Sequence, residues 1–401
     1  MKVVKIGLLP KVLIAIALGI AFSTFFPEWL ARCFVTFNSL FSNFLGLFIP
    51  FLIIGLIAPG IFELGRGAGK LLLITALIAY SSTVLAGFFS YGVCSLTYDK
   101  VLGDSVDALG DIDMQGGLEP YFTIAMPPVL DVTTALVLAF IVGLALINIR
   151  TFALKNMMLE LREIVFIVIR KVIIPLLPVF IFGIFLKMGV EGKVAPVLGM
   201  FIKIILIIFA MHVSFLVMQF LVAGAVSHKN PFKALANMLP AYLTALGTQS
   251  SAATIPVTHA QTIKNGVDAD VADFTIPLCA TIHLSCSMLK IVACAFAISL
   301  SMDMDVSLAT YSGFIFMLAL TMVAAPGVPG GAIMAALGLL SGMLGFDSSL
   351  QGLMIALYIA MDSFGTAGNV TGDGAIALII NRIKPYVKNG KNQDSPLPGQ
   401  Y

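Results

Sequence analysis

Four polar residues interrupt the last apolar segment of the chain. Asp362, Thr366, Asn369 and Asp373 lie between Leu353 and Ile383, a stretch otherwise apolar enough to cross a bilayer. Together with Tyr358 and Gly365 they recur every three or four residues, so a helix places them on one face. An unpaired carboxylate at the bilayer centre costs at least roughly 2.5–3.5 kcal/mol. Two on one stripe need a cationic partner, an ion or a water-filled site. The plain alternative is bonding to neighbouring helices, but acids inside a membrane are functional by default. The stripe predicts that something cationic docks there.

The elements around the stripe have to be membrane helices. Hydrophobic residues make up 59% of the 401-residue chain and charged residues 11%, against about 25% charged in a soluble domain. Net charge is only +2, which gives no case for a nucleic-acid partner. A phosphate loop of the GxxxxGK[ST] type is absent, which argues against ATP-driven transport by this chain alone. The first apolar run, Val12 to Phe25, is followed by further apolar runs and no clear cleavage site. It reads as a first spanning helix and not as a signal peptide. The five cysteines form no CxxC pair and read as small buried hydrophobes, not as disulfides.

Six long apolar segments fill the first part: Lys11–Phe26, Phe34–Ile61, Leu71–Leu96, Met126–Ile149, Val165–Met188 and Pro196–Val226. Lysines and arginines alternate in number between the connecting loops. Lys2, Lys5, Arg66, Lys70, Arg150, Lys155, Arg162, Lys229, Lys233, Arg382, Lys384, Lys388 and Lys391 fall on one side. Arg32, Lys100, Lys187 and Lys193 fall on the other. The positive-inside rule then puts both termini in the cytoplasm, in the plasma membrane of the cell.

Beyond residue 230 the segments shorten and break. "ALGTQSSAATIPVT" (245–258), "ATIHLSCSML" (280–289), "VAAPGVPGGAIM" (323–334) and "GTAGNVTGD" (365–373) each interrupt one. Irregular backbone at membrane depth is tolerated only where it is buried in protein or lines a cavity. A polar tip followed by an interrupted helix occurs twice. The two starts lie on opposite sides, which makes the units inverted. Paired breaks of this kind point to a transporter binding site.

With these motifs in hand, the chain resembles the dicarboxylate/amino acid:cation symporter family, the glutamate-transporter superfamily. "SSAATIPVT", "GVPGGAIM" and "NVTGD" look like that family's first hairpin tip, second hairpin tip and last-helix signature. The resemblance covers nearly the whole chain. It implies an all-α integral membrane protein with eight spanning helices, two re-entrant hairpins and an elevator movement, assembled as a homotrimer in the lipid bilayer. It divides the chain into a six-helix region (1–230), a transport core (231–385) and a cytoplasmic tail (386–401). In the first region, helices 2, 4 and 5 would form the trimer scaffold, and helices 3 and 6 would go with the core.

The resemblance also implies roles for residues. Asp362 would pair with the ammonium of an amino acid substrate, with Thr366, Asn369 and Gly365 beside it. Ser250 and Ser251 in the first tip would contact its carboxylate, Gly327 and Val328 in the second would bind it too, and Gly327, Gly330 and Gly331 would let that tip open and shut as the extracellular gate. Asp373 would hold Na+, its shell completed by backbone at Asn369 and by the interrupted helix at Cys279 and His283. Met322, Val323, Ala325 and Thr281 would make a second sodium site. Ser82 and Thr83 would be what remains of a third.

Two departures stand out. Members that carry acidic substrates have an arginine where this chain has Gly365, and some have one in the first tip, where this chain has Gln249. An acidic side chain would then be buried without a partner. The expectation is a neutral amino acid, with an acidic amino acid or dicarboxylate, possibly coupled to H+, as the alternative. Second, an asparagine-methionine-aspartate triplet is replaced by His283-Leu284-Ser285. Losing that acid predicts fewer coupled sodium ions. His283 reads as a hydrogen-bonded core residue or as a proton carrier. Lys290 is expected to snorkel to the outer interface, with a tethered cation in place of an ion as the alternative. His212, Lys203, Arg170 and Lys171 read as packing or interfacial groups, and His228 and His259 as solvated. An intramembrane hydrolase using Ser251, His283 and an aspartate is a remote alternative that lacks a GxSxG elbow. A channel is a third.

Overall fold

The computed structural model describes residues 7–65, 70–110, 118–149, 152–192, 194–323, 325 and 329–389. Gly327 and Val328 lie outside them, as does the tail beyond residue 389. Among the described residues the secondary structure is helical throughout. The first seven helices are α1 (Leu8–Ser23), α2 (Glu28–Gly65), α3 (Lys70–Gly110), α4 (Val132–Asn148), α5 (Ala153–Val168), α6 (Ile174–Val190) and α7 (Val194–Ser227). A five-residue π turn, Ile169–Ile173, joins α5 to α6. It ends two residues before Pro175, which has no N–H to give and crowds the carbonyl four residues back.

The fourth apolar segment starts later than Met126. Pro127 and Pro128 hold the preceding backbone extended. The helix begins only after Asp131, whose carboxylate accepts from the Thr134 N–H at 2.9 Å.

The second part is built from short helices. A turn of helix, α8 (Pro231–Asn237), leads into the hairpin α9 (Leu239–Thr248) and α10 (Ser251–Lys264). Next come α11 (Ala269–Ile282) and α12 (Ser285–Ser301), separated by His283 and Leu284. A second hairpin follows, α13 (Leu308–Val323) and α14 (Gly331–Leu344), and then α15 (Ser348–Ala360) and α16 (Asp362–Asn389). A hairpin followed by a broken helix thus occurs twice. The last helix is not continuous through the polar stripe, as its periodicity suggested. It bends by 61° at Met361, between α15 and α16. Tyr358 therefore precedes the bend and Asp362 opens the new helix.

Among the described residues, five helical spans are long and apolar enough to cross a membrane: Glu28–Phe62, Leu71–Leu102, Ala153–Val190, Val197–Ser227 and Ala269–Ser301. The α15–α16 pair makes a sixth if taken as one bent span, and α1, α4, α13 and α14 are shorter apolar helices. Leu73, Leu77 and Leu85 on α3, and Ile202 and Leu206 on α7, are exposed. Lipid is as apolar as leucine, so such rows carry no penalty in a bilayer. α12 is instead buried on all sides, as is most of α16. A helix buried all round lies at the centre of a bundle, and α3, α7, α9, α10 and α11 pack around these two.

Where α1 meets α6, the backbones touch. A Cβ on Gly19 would lie 2.7 Å from the Phe182 carbonyl oxygen, an atom that cannot swing away. Gly19→Ala is expected to destabilise the protein by about 1–3 kcal/mol, read as a lower apparent Tm in detergent. An unchanged Tm would contradict this packing.

Candidate functional site

Broken helices leave backbone groups without partners, and here the stripe on α16 receives them. The first N–H groups of any helix lack intrahelical acceptors. At the start of α12 these belong to Cys286 and Ser287, and both donate to Asn369 Oδ1, at 2.8 and 3.3 Å. Asn369 Nδ2 donates in turn to Ser287 Oγ at 2.9 Å, and Tyr358 Oη reaches the same oxygen at 3.2 Å. The Asn369 side chain thus caps a helix it does not belong to.

Asp362 is the second junction. It sits in the first turn of α16, where the helix dipole favours a negative charge. One carboxylate oxygen accepts from the Gly330 N–H at 2.7 Å, at the foot of α14. Gly330 is left-handed, with φ +74°, which glycine adopts without strain. The other oxygen faces Lys290 Nζ at 3.4 Å. The second hairpin, the broken helix and the last helix therefore meet on one acid.

The first tip docks nearby. Gln249, left-handed at φ +53°, donates from Nε2 to Ser363 Oγ at 2.9 Å. Ser250 caps α10 through the Ala253 N–H, and Ser251 is buried. The N-termini of α10, α12 and α14 all lie against the start of α16, and such ends favour anions.

Asp373, three turns further on, has its own partner. His283 Nδ1 is 2.8 Å from Asp373 Oδ1, with both side chains buried. The other ring nitrogen lies 3.1 Å from Ser82 Oγ and 3.4 Å from Gln219 Nε2. Gln219 donates to Ser82 and Ser285 at 2.9 and 3.3 Å. The backbone breaks here too: the His283 N–H closes α11 on the Cys279 carbonyl, and the chain then turns extended. Carbonyl oxygens beside one carboxylate suit a hard monovalent cation. No group of three or more acids, histidines and cysteines converges among the described residues.

The remaining candidates are more scattered. Thr366 is buried on α16. Thr83 is buried, and its hydroxyl turns onto the Ala79 carbonyl of its own helix. Thr281 is exposed and bonds the Leu278 carbonyl. Met322 and Ala325 are buried beside each other, the Ala325 N–H reaching the Met322 carbonyl at 3.2 Å, and Val323 is half-buried.

Lys290 does not snorkel. It is fully buried, with Nζ 3.4 Å from the centroid of the Tyr358 ring as well as from Asp362. The volume left by Gly365 is filled by this lysine: a Cβ there would lie 2.7 Å from Nζ. Position 365 carries no arginine, yet the Lys290 ammonium stands beside it, so an acidic group there would not lack a cationic neighbour. Gln219 was missed, although it is a lone amide in the apolar run of α7. His259, expected in water, is partly exposed and pairs with Asp273 at 2.7 Å.

The Sodium:dicarboxylate symporter family model matches residues 8–383. The serine/threonine transporter SstT of Acinetobacter baumannii (strain AYE) is 26% identical over 385 residues, covering 92% of this chain and 95% of that protein. Excitatory amino acid transporter 3 of Oryctolagus cuniculus is 32% identical over 187 residues, 46% of this chain and 35% of its own. Excitatory amino acid transporter 4 of Mus musculus is 28% identical over 174 residues, 43% and 31% respectively. All are transporters, not enzymes, and the hydrolase alternative is set aside.

Gly372 tests the packing behind Asp373. A Cβ there would lie 2.8 Å from Gln219 Oε1 and 2.9 Å from His283 Cε1. Gly372→Ala is expected to cost about 1–3 kcal/mol and to lower the apparent Tm. A variant as stable as the wild type would mean that Gln219 and His283 yield to the added methyl group.

Proposed function

The chain belongs to the sodium:dicarboxylate symporter family, and from that premise we propose that it is a secondary active symporter carrying an amino acid into the cell, coupled to sodium. The observation that carries this is the pair of buried acids, Asp362 and Asp373, on one helix beside two broken backbones. Broken helices in transporters use their N-termini for anionic substrate groups and their freed carbonyls for cations. The α10 and α14 ends would receive the substrate carboxylate, with Ser250 and Ser251 on one side. Gly327 and Val328, in the second tip, would contact it from the other side. Asp362 takes the ammonium, and Thr366 lies one turn away.

Sodium would be held by Asp373 and by carbonyls at Asn369 and Cys279. His283 already takes one Asp373 oxygen, so this shell has fewer oxygens to offer. That favours fewer coupled ions than a fully acidic core would bind. Met322, Val323 and Ala325, with Thr281, remain the candidates for a second ion. Ser82 faces His283, which leaves the third position weak.

In this reading the two hairpin units enter from opposite faces and move together as an elevator against a trimer scaffold, with both termini cytoplasmic. Serine and threonine are what the full-length relative's name states. The sequence favours a neutral side chain because no cation stands at position 365 or in the first tip. Lys290 removes that ground.

Uptake by proteoliposomes under an inward sodium gradient tests the reading. Asp373→Asn is expected to lower sodium-driven amino-acid uptake roughly tenfold or more, about 1.4 kcal/mol of lost cation binding. Uptake with unaltered sodium dependence would exclude Asp373 as the coupling acid.

A further inference from the structure

Lys290 is the one charged residue of α12. Its ammonium is fully buried, yet poorly held. The contacts to Asp362 Oδ1 and to the Met361 carbonyl are both 3.4 Å. Well-made ammonium–carboxylate bonds measure about 2.7–2.9 Å. The third neighbour is the face of Tyr358. His212, Cys286 and Cys294 are the other titratable groups close enough to interact with it, and Asp362 is the acid among its neighbours. A buried ammonium with three donors and only long contacts has unspent capacity for an anion. Gly365 makes room for it, since any larger residue would collide with Nζ or Cε.

We propose that Lys290 is the specificity-determining residue of the pocket: it binds an anionic group on the substrate's side chain while Asp362 binds the ammonium. This rests on the symport reading above and narrows its substrate class. In this structure the two charges face each other at 3.4 Å. A neutral amino acid whose ammonium takes Asp362 strips Lys290 of its acid. The lysine is then a buried charge facing a ring and a carbonyl, which is a strongly unfavourable state. A dicarboxylate without an ammonium satisfies Lys290 but takes the cation from Asp362. An acidic amino acid replaces both halves of the pair at once. The charge balance selects it over both other classes.

Calorimetric titration of the purified full-length protein in sodium, with L-aspartate, L-glutamate, L-serine, L-threonine and succinate, reads the selection directly. An acidic amino acid is expected to bind on the order of 100-fold tighter than serine, threonine or succinate. Lys290→Met keeps the length of the side chain and removes the charge. It should weaken the acidic ligand on the order of 100-fold and improve serine or threonine. Combining Lys290→Ala with Gly365→Arg returns a cation from α16 into the space the shortened side chain vacates and should restore the acidic preference. A wild type that prefers serine or threonine overturns the proposal, as does Lys290→Met with an unchanged ranking. If Lys290→Met does not fold, Lys290→Arg decides beside the wild-type ranking: losing the acidic preference with the charge kept also overturns it. A wild type that binds none of the five, and whose proteoliposomes take up no amino acid under a sodium gradient, defeats the symport reading itself.

Discussion

A carboxylate removed from water has to be compensated by its neighbours, and Asp362 and Asp373 impose that demand on the whole second part of the chain. Each is buried, and each has recruited a basic side chain from the helix broken at residues 283 and 284. Breaking a buried pair by removing one member costs about 3–5 kcal/mol. The positions of α11, α12 and α16 relative to one another are therefore held by one ion pair, one histidine–carboxylate hydrogen bond and packing. Apolar contacts alone would leave such helices free to slide in lipid, where no hydrophobic force holds them together.

The broken backbones meet the same requirement from the other side. Interrupting a helix inside a membrane exposes N–H and C=O groups that no water can satisfy. Asn369 answers for the start of α12, Asp362 for the start of α14, and Gln249 ties the first tip to Ser363. One seam of polar side chains on α16 thus completes three other elements. A ligand that competes for the seam must loosen some of these ties. That is a physical route by which binding could be linked to movement of the second tip, because the Gly330 N–H and Lys290 share one carboxylate.

Much of this was readable in the sequence, and the reasons differ by residue. The Asp362–Asp373 stripe has helical period in an apolar run, so its shared face needed no coordinates. The breaks near 250, 283 and 328 announced themselves by polar clusters and Gly-Pro pairs. The 61° bend at Met361 did not, because no proline or glycine occupies that position. The direction of Lys290 was hidden for a different cause. A four-carbon stem can run toward lipid headgroups or inward, and what decides it is a missing Cβ on another helix, at Gly365. Asn369 was expected to serve a ligand. Its capping of α12 depends on a contact 82 to 83 residues away along the chain.

The central claim is that this seam holds an amino acid and a cation together, so that each strengthens the other. Binding free energies are reciprocal between coupled sites. The direct measurement is the affinity of the purified protein for its amino acid, titrated at a series of sodium concentrations with choline as the replacement ion. The account predicts that affinity rises steeply with sodium, by a factor of about 5–150, and that saturating amino acid tightens sodium binding by the same factor. An affinity that is identical with and without sodium would contradict it.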